Sequence, residues 1–245
     1  MRAVDPTIII IPHTASGSTL ALENWYEWHE DVLDALGDEV DGMAPHIYYG
    51  GNGMSVEASH SRFGIRISND TLPHRVYMTE HARYIDAATG EENDQTTWPR
   101  TTAMLGTLDT ADMLIALASN HPVALAQWHS LSGAGPWRPF NTVDPVTGKH
   151  SNDFGIRPAA WMLGLFQQSL PDRIVLQTNV TSPDNAGYNG EYDVRGVVLR
   201  DQITNRYSVL YINRHTSSYN VTVRMPTDLA AGNYLTRMDY VGGAD

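Results

Sequence analysis

Cysteine is absent from the 245 residues. Disulfides, thiol nucleophiles and cysteine-ligated zinc are thereby excluded, while the redox compartment is left open. Basic residues are scarce: 16 Lys and Arg stand against 28 Asp and Glu, for a formal net charge of -12 and a pI near 5.1. Phosphate backbones and anionic membrane surfaces are bound by clustered cations, so no nucleic acid and no membrane is expected as partner; a neutral or small substrate fits better. A membrane-spanning run of about 18 apolar residues is missing too. Asp5 and Pro6 fall where an export signal has its apolar centre, which favours the cytoplasm over secretion.

Several chemistries lack their signatures. The glycines of GGNG (50–53) and GAG (133–135) have neither the spacing nor the Lys-Ser/Thr of a phosphate loop. None of the ten histidines falls in an HExxH pair, and no GxSxG elbow surrounds Ser16, Ser130 or Ser132. Neither a cofactor nor a metal centre nor a serine triad is expected.

What remains is the composition of a globular chain, 42% hydrophobic, with two grammars. Strands alternate with helices up to Pro171. Thr7 to Pro12 reads as a buried strand, with the turn-like HTASGS after it. Leu20 to Leu36 reads as a helix with Leu22, Trp25, Val32, Leu33 and Leu36 on one face and Gly37 at its end. Val40 to Tyr49 reads as a strand, Glu57 to Ile67 as a weakly patterned helix, and Arg75 to Tyr84 as a strand. Thr101 to Asn120 is a helix carrying Met104, Leu108, Met113, Leu114 and Leu117, broken by His121-Pro122, and Val123 to Leu131 is the next strand. A long loop from Ser132 to Arg157 holds a hairpin turn at DPVTG. It leads into a helix from Pro158 to Leu170, with proline at its first turn.

After Pro171 five strand-like runs follow without a helix: RIVLQTNV, YDVRGVVLRD, RYSVLYINR, YNVTVRMP and NYLTRMDYV. The expectation is an α/β domain over residues 1–170 and a β-sandwich domain over 171–245. A closed (β/α)8 barrel takes about 250 residues, so the first domain has room for half of one. A complete, doubly wound open sheet is the alternative at that length.

Glu80, in VYMTEHARY, stands where a buried run meets polar residues, the expected C-terminal end of a parallel strand. Such ends converge on the pocket of an α/β barrel. The plainer alternative is a glutamate paired with Arg83 or Arg75. His46 and Tyr48, two apart in APHIYYG, share a face of the preceding strand, and Gln127 and His129 in ALAQWHSL share one of the next. Three strand ends thus offer hydrogen-bonding groups around one carboxylate, as a polyol substrate requires. Trp128, Trp137 and Phe140 lie on or beside the long loop, where a stacking platform for a sugar could form; core packing is their other reading. Trp25, Trp28 and Trp161, on helices, read as packing residues.

MRAVDPTIIII, DEVDGMAPHIYY, VYMTEHARY and PVALAQWHSL, in that order, resemble the fifth to eighth strands of α-L-arabinofuranosidases, retaining glycosidases with a (β/α)8 barrel and a C-terminal β-sandwich. The likeness runs over nearly the whole chain. It implies that Glu80 is the nucleophile, that His46 and Tyr48 contact the sugar and the nucleophile, and that Gln127 contacts substrate; Trp128 and His129 join them as substrate-binding candidates. Thr79 and His81 stand where the family often has Asp and Trp. The family's acid/base is a Glu preceded by Asn on the fourth strand, and no Asn-Glu dipeptide occurs here.

Retaining hydrolysis uses two carboxyl groups about 5 Å apart. With one lacking, the chain is expected to be a fragment with little activity on unactivated arabinosides. An exposed sheet edge would favour a homo-oligomer or association with a complementary N-terminal half. The competing expectations are a related retaining xylosidase or glucanase and a non-catalytic carbohydrate-binding fragment.

Overall fold

A computed structural model describes residues 3–17, 31–49, 75–85, 103–120, 123–129, 137–143, 150–169, 173–176, 194–213 and 222. Most of the first expected helix, with Trp25 and Trp28, the Glu57 to Ile67 segment and all but residue 222 of the last two strand-like runs lie outside these residues.

Four parallel strands form the main sheet: β1 (His13–Gly17), β2 (Gly42–Tyr49), β3 (Arg75–Arg83) and β4 (Val123–Trp128). Their spatial order follows their chain order, with no reversal among the described strands. Before β2, residues 31–36 are helical and pass into a 3-10 turn at Gly37–Glu39. Gly37 takes a φ of +48°, a left-handed conformation that costs a residue without a Cβ little. Leu33 from this segment packs with Val40 and Met43 of the following strand region, and Ile10 lies against them.

β1 begins later than the apolar pattern suggests. The Ile10 and Pro12 carbonyls already accept bonds from the Asp41 and Ala44 amides, at 2.9 and 3.0 Å. Pro12 has no N–H to return, and the regular ladder starts at His13, opposite Ala44. The stretch read as a turn, HTASG, is the strand.

β3 contains the irregularity that matters for the site. Against β2 it holds one residue more than its neighbour between the pairs Met43–Val76 and His46–Glu80. Against β4 it again holds one residue more, between Met78–Ala126 and His81–Trp128. Both neighbours therefore see the same β-bulge close to Thr79 and Glu80, a device that re-aims side chains and recurs beside active sites.

The crossover from β3 to β4 carries α1 (Met104–Asn120), which stops ahead of His121-Pro122 as expected. Thr107 and Thr110 return their hydroxyls to the Ala103 and Gly106 carbonyls, each at 2.8 Å, so these buried side chains are satisfied within the helix. α1 is buried on more than one side: Met113 and Leu117 are fully buried, as are Ala111, Leu114 and Ile115. Such a helix needs cover on two faces. One cover is the parallel sheet. The other is a core in which Ala111, Leu114 and Ile115 meet Met162 and Phe166 of α2 (Pro158–Ser169) and Val197, Leu199 and Ile212 from the later strands.

Between β4 and α2, β5 (Phe140–Val143) and β6 (His150–Ile156) pair antiparallel around the segment containing DPVTG. Beyond α2, β7 (Arg173–Leu176), β8 (Val194–Asp201) and β9 (Tyr207–Asn213) form an antiparallel sheet in chain order. α2 buries Ala159, Met162 and Phe166 along one stripe, and Trp161, on the opposite side, is 60% exposed. The packing role expected for Trp161 is therefore not observed.

Candidate active site

The bulge turns the Glu80 side chain to the face that carries His46 and Tyr48. Regular alternation would group Glu80 with Val76 and Met78, both fully buried. With the extra residue, Glu80 lies opposite His46 instead. The Tyr48 phenol donates to Glu80 Oε1. Glu80 Oε2 lies 3.5 Å from His46 Nδ1 and 3.2 Å from His129 Nδ1. Each carboxylate oxygen thus has its own company, a phenol on one and two imidazoles on the other.

His129 reaches this position through the backbone, because its amide donates to the His81 carbonyl at 3.0 Å and extends the pairing one residue past β4. His46 Nε2 is 3.1 Å from Thr79 Oγ1. An ionised carboxylate only accepts, so the arrangement suits His46 with its proton on Nδ1 and the Thr79 hydroxyl donating to Nε2. Burial pushes the His46 pKa below its ordinary value of 6.5; Glu80 opposes the shift, and His13 and His129 add to it. His13 stands beside His46, with ring centroids 4.6 Å apart. The carboxylate itself is partly open, its side chain 24% exposed.

The opposite face of the same strand ends is closed. Tyr49 and His81 are fully buried and share a hydrogen bond of 3.1 Å. Burial pushes the Tyr49 phenol far above its usual range, against a hydrogen bond with Thr110, and pushes His81 down to about 4. Arg83 Nε meets Asp109 of α1 at 2.7 Å, both side chains nearly inaccessible. Arg83 is therefore committed elsewhere and is not the partner of Glu80; the Arg75 side chain lies outside the described residues.

Neutral His81 implies an acid-sensitive fold. With a folded pKa of about 4 against an ordinary 6.5, the unfolded chain takes up a proton that the folded chain refuses. Stability present above pH 6.5 is then lost as pH falls towards 4, by up to about 3 kcal/mol from this group. Thermal melts of the wild type and of His81→Gln, from pH 7 to 4, should show a shallower decline in the variant. Equal slopes would remove His81 as the cause.

Of the residues singled out from sequence, Glu80, His46, Tyr48 and His129 are brought together. Gln127 is exposed at the end of β4, outside the groups bonded to Glu80. Trp128 is only 5% exposed and lies edge-on to His81 with centroids 6.0 Å apart, which places it on the buried face. Its indole N–H donates to the Trp137 carbonyl at 2.5 Å. A direct sugar contact from Trp128 is thus not what the packing offers; adjacent strand residues face opposite ways, and His129 takes the open side. Phe140 is partly buried at the start of β5. Thr79 is a site neighbour to which the sequence reading gave no role, and Trp137, read from sequence as a sugar platform or as packing, lies against Tyr48 and His129. The pairing of Thr79 with His46 follows from the bulge, and Trp137 comes from the segment between β4 and β5. Among the described residues no group of acidic or imidazole side chains is arranged to hold a metal ion. No family model matches the chain, and comparison with curated proteins finds no match.

Proposed function

We propose that Glu80 is the nucleophile of a retaining glycosidase site, and that its substrate is an α-L-arabinofuranoside of the arabinan or arabinoxylan kind. The proposed frame is the fifth to eighth strands of a (β/α)8 barrel, for which four parallel strands in unreversed chain order are the support. The observation that carries the chemistry is the dressing of one partly open carboxylate at parallel strand ends: Oε1 accepts the Tyr48 phenol, and Oε2 is flanked by the imidazoles of His46 and His129. One oxygen is held by the phenol, and the attack is assigned to the other.

In the proposed reaction Glu80 Oε2 forms a bond to the anomeric carbon as the bond to the leaving oxygen breaks and that oxygen keeps the electron pair. A second carboxyl group would protonate the leaving oxygen and later deprotonate the attacking water. Among the described residues the groups bonded to Glu80 are a phenol and two imidazoles, so that carboxyl has to come from outside this cluster. The substrate sugar is carried by the resemblance of the strand motifs alone, whereas the nucleophile assignment also has the geometry behind it.

The test uses a leaving group that needs no proton. Incubation with 2,4-dinitrophenyl 2-deoxy-2-fluoro-α-L-arabinofuranoside should release dinitrophenolate and leave one fluorosugar esterified to Glu80, read by intact mass and peptide mapping. Labelling only by the xylose-configured reagent would move the assignment to a xylosidase. Sugar binding that Glu80→Gln leaves unchanged, without any labelling, would indicate a binding site without chemistry. Tyr48→Phe removes the phenol that donates to Oε1. It should slow labelling roughly 10²-fold, the scale seen when a positioned donor is deleted from an active site. An unchanged rate would exclude a catalytic part for the phenol.

A further inference from the structure

We propose that Trp137 is a positioning residue of the Glu80 site, holding Tyr48 and His129 against the carboxylate, and not a stacking surface for the sugar. This rests on the reading of Glu80 as nucleophile. Trp137 is tied down at both of its polar ends. Its indole N–H donates to the Arg83 carbonyl at 2.8 Å, and its own carbonyl accepts the Trp128 indole N–H. Its ring lies 5.6 Å from that of Tyr48, tilted by 54°, and 5.0 Å from that of His129, at 71°. Tyr48 and His129 are in turn 6.0 Å apart at 74°.

All three separations fall in the range of favourable aromatic pairs. The rings therefore close a triangle, and two of its corners meet Glu80: Tyr48 by a hydrogen bond to Oε1 and His129 with Nδ1 3.2 Å from Oε2. Trp137 is the third corner, and its polar groups are bonded to Arg83 and Trp128, not to the carboxylate. Its ring is already engaged by the two groups it would orient, which is poor use of a sugar platform and good use of a brace. The brace is anchored in turn, because Arg83, whose carbonyl receives the indole, is fixed by its side chain to Asp109 of α1. A continuous line of contacts thus runs from the buried helix through Arg83 and Trp137 to the two donors at the carboxylate.

The two roles separate in the labelling kinetics of the fluorinated arabinoside. A brace acts on the bond-forming step, since displacement of a catalytic group by about 1 Å can cost on the order of 10²-fold. Trp137→Ala should lower the maximal labelling rate about 10- to 100-fold, with the half-saturating reagent concentration changed less than about threefold. Trp137→Phe, which keeps a ring but loses the bond to Arg83, should recover most of that loss. A platform gives the reverse pattern, with weaker saturation and an unchanged maximal rate, and that result would overturn the proposal. Should Trp137→Ala fail to fold, Trp137→Phe combined with Tyr48→Phe decides: an effect transmitted through the Tyr48 hydroxyl shrinks when that hydroxyl is already gone, and full additivity counts against transmission. A wild type that is never labelled at Glu80 sinks the nucleophile reading and this one together. A labelled wild type with unaltered Trp137 variants sinks only this one.

Discussion

Glu80→Gln is expected to abolish covalent capture of the fluorinated arabinoside, with a fall on the order of 10⁴-fold or more, the scale on which nucleophile deletions act. The amide keeps the size of the side chain and can still accept the Tyr48 hydrogen bond through its carbonyl oxygen, so the surroundings need not rearrange. What it loses is the negative charge and the lone pair that attacks. The side chain is 24% exposed, accepts a hydrogen bond from a phenol and lies beside two imidazoles, so its replacement by a neutral isostere should leave the melting temperature within a few degrees of the wild type. The measurement is the labelled fraction by intact mass over time, with mapping of the modified peptide. Capture of the variant at the wild-type rate, or modification of the wild type at another residue, would assign the chemistry elsewhere.

The second large effect concerns the pair behind the site. Arg83 and Asp109 are 4% and 1% exposed and meet at 2.7 Å. Two charges taken out of water are tolerated while each neutralises the other; removing one leaves the survivor buried without its counterion, at a cost of about 3 to 5 kcal/mol. Asp109→Ala should therefore lower the urea midpoint by that equivalent. The double variant Arg83→Met, Asp109→Leu, which replaces both charges by apolar groups, should recover most of the loss. A single variant as stable as the wild type would show that the pair is not isolated from solvent. The same single variant should also slow labelling at Glu80, because the Arg83 carbonyl that receives Trp137 belongs to the strand this pair anchors.

Much of the site was legible because period-two geometry is strict over short distances. His46 and Tyr48 are two apart and do share a face, and the strand carrying Glu80 is their immediate neighbour. Helix ends were equally readable from local chemistry: His121-Pro122 follows the last residue of α1, Pro158 opens α2, and Gly37 takes the left-handed conformation after the first helix. The bulge in β3 was not legible. Nothing in VYMTEHARY distinguishes a regular strand from one with an extra residue, because the irregularity is defined by what β2 and β4 place opposite it. The same limit applies to Trp128, which sequence placed at the substrate with His129 although consecutive strand residues point to opposite faces. Trp137 was legible as a residue beside the site but not in its partners: its contacts with Arg83 and Tyr48 join positions far apart in the chain, and no local pattern encodes them.

The change of grammar at Pro171 has a practical consequence for where the chain can be cut. Val197, Leu199 and Ile212 share one apolar interior with Ala111, Leu114, Ile115, Met162 and Phe166, and Arg195 of β8 is ion-paired with Asp112 of α1. A polypeptide ending at residue 170 would leave that interior open to water and remove Arg195 from Asp112. The later strands are thus less a passenger module than the outer wall of the helix layer on which the Glu80 sheet rests.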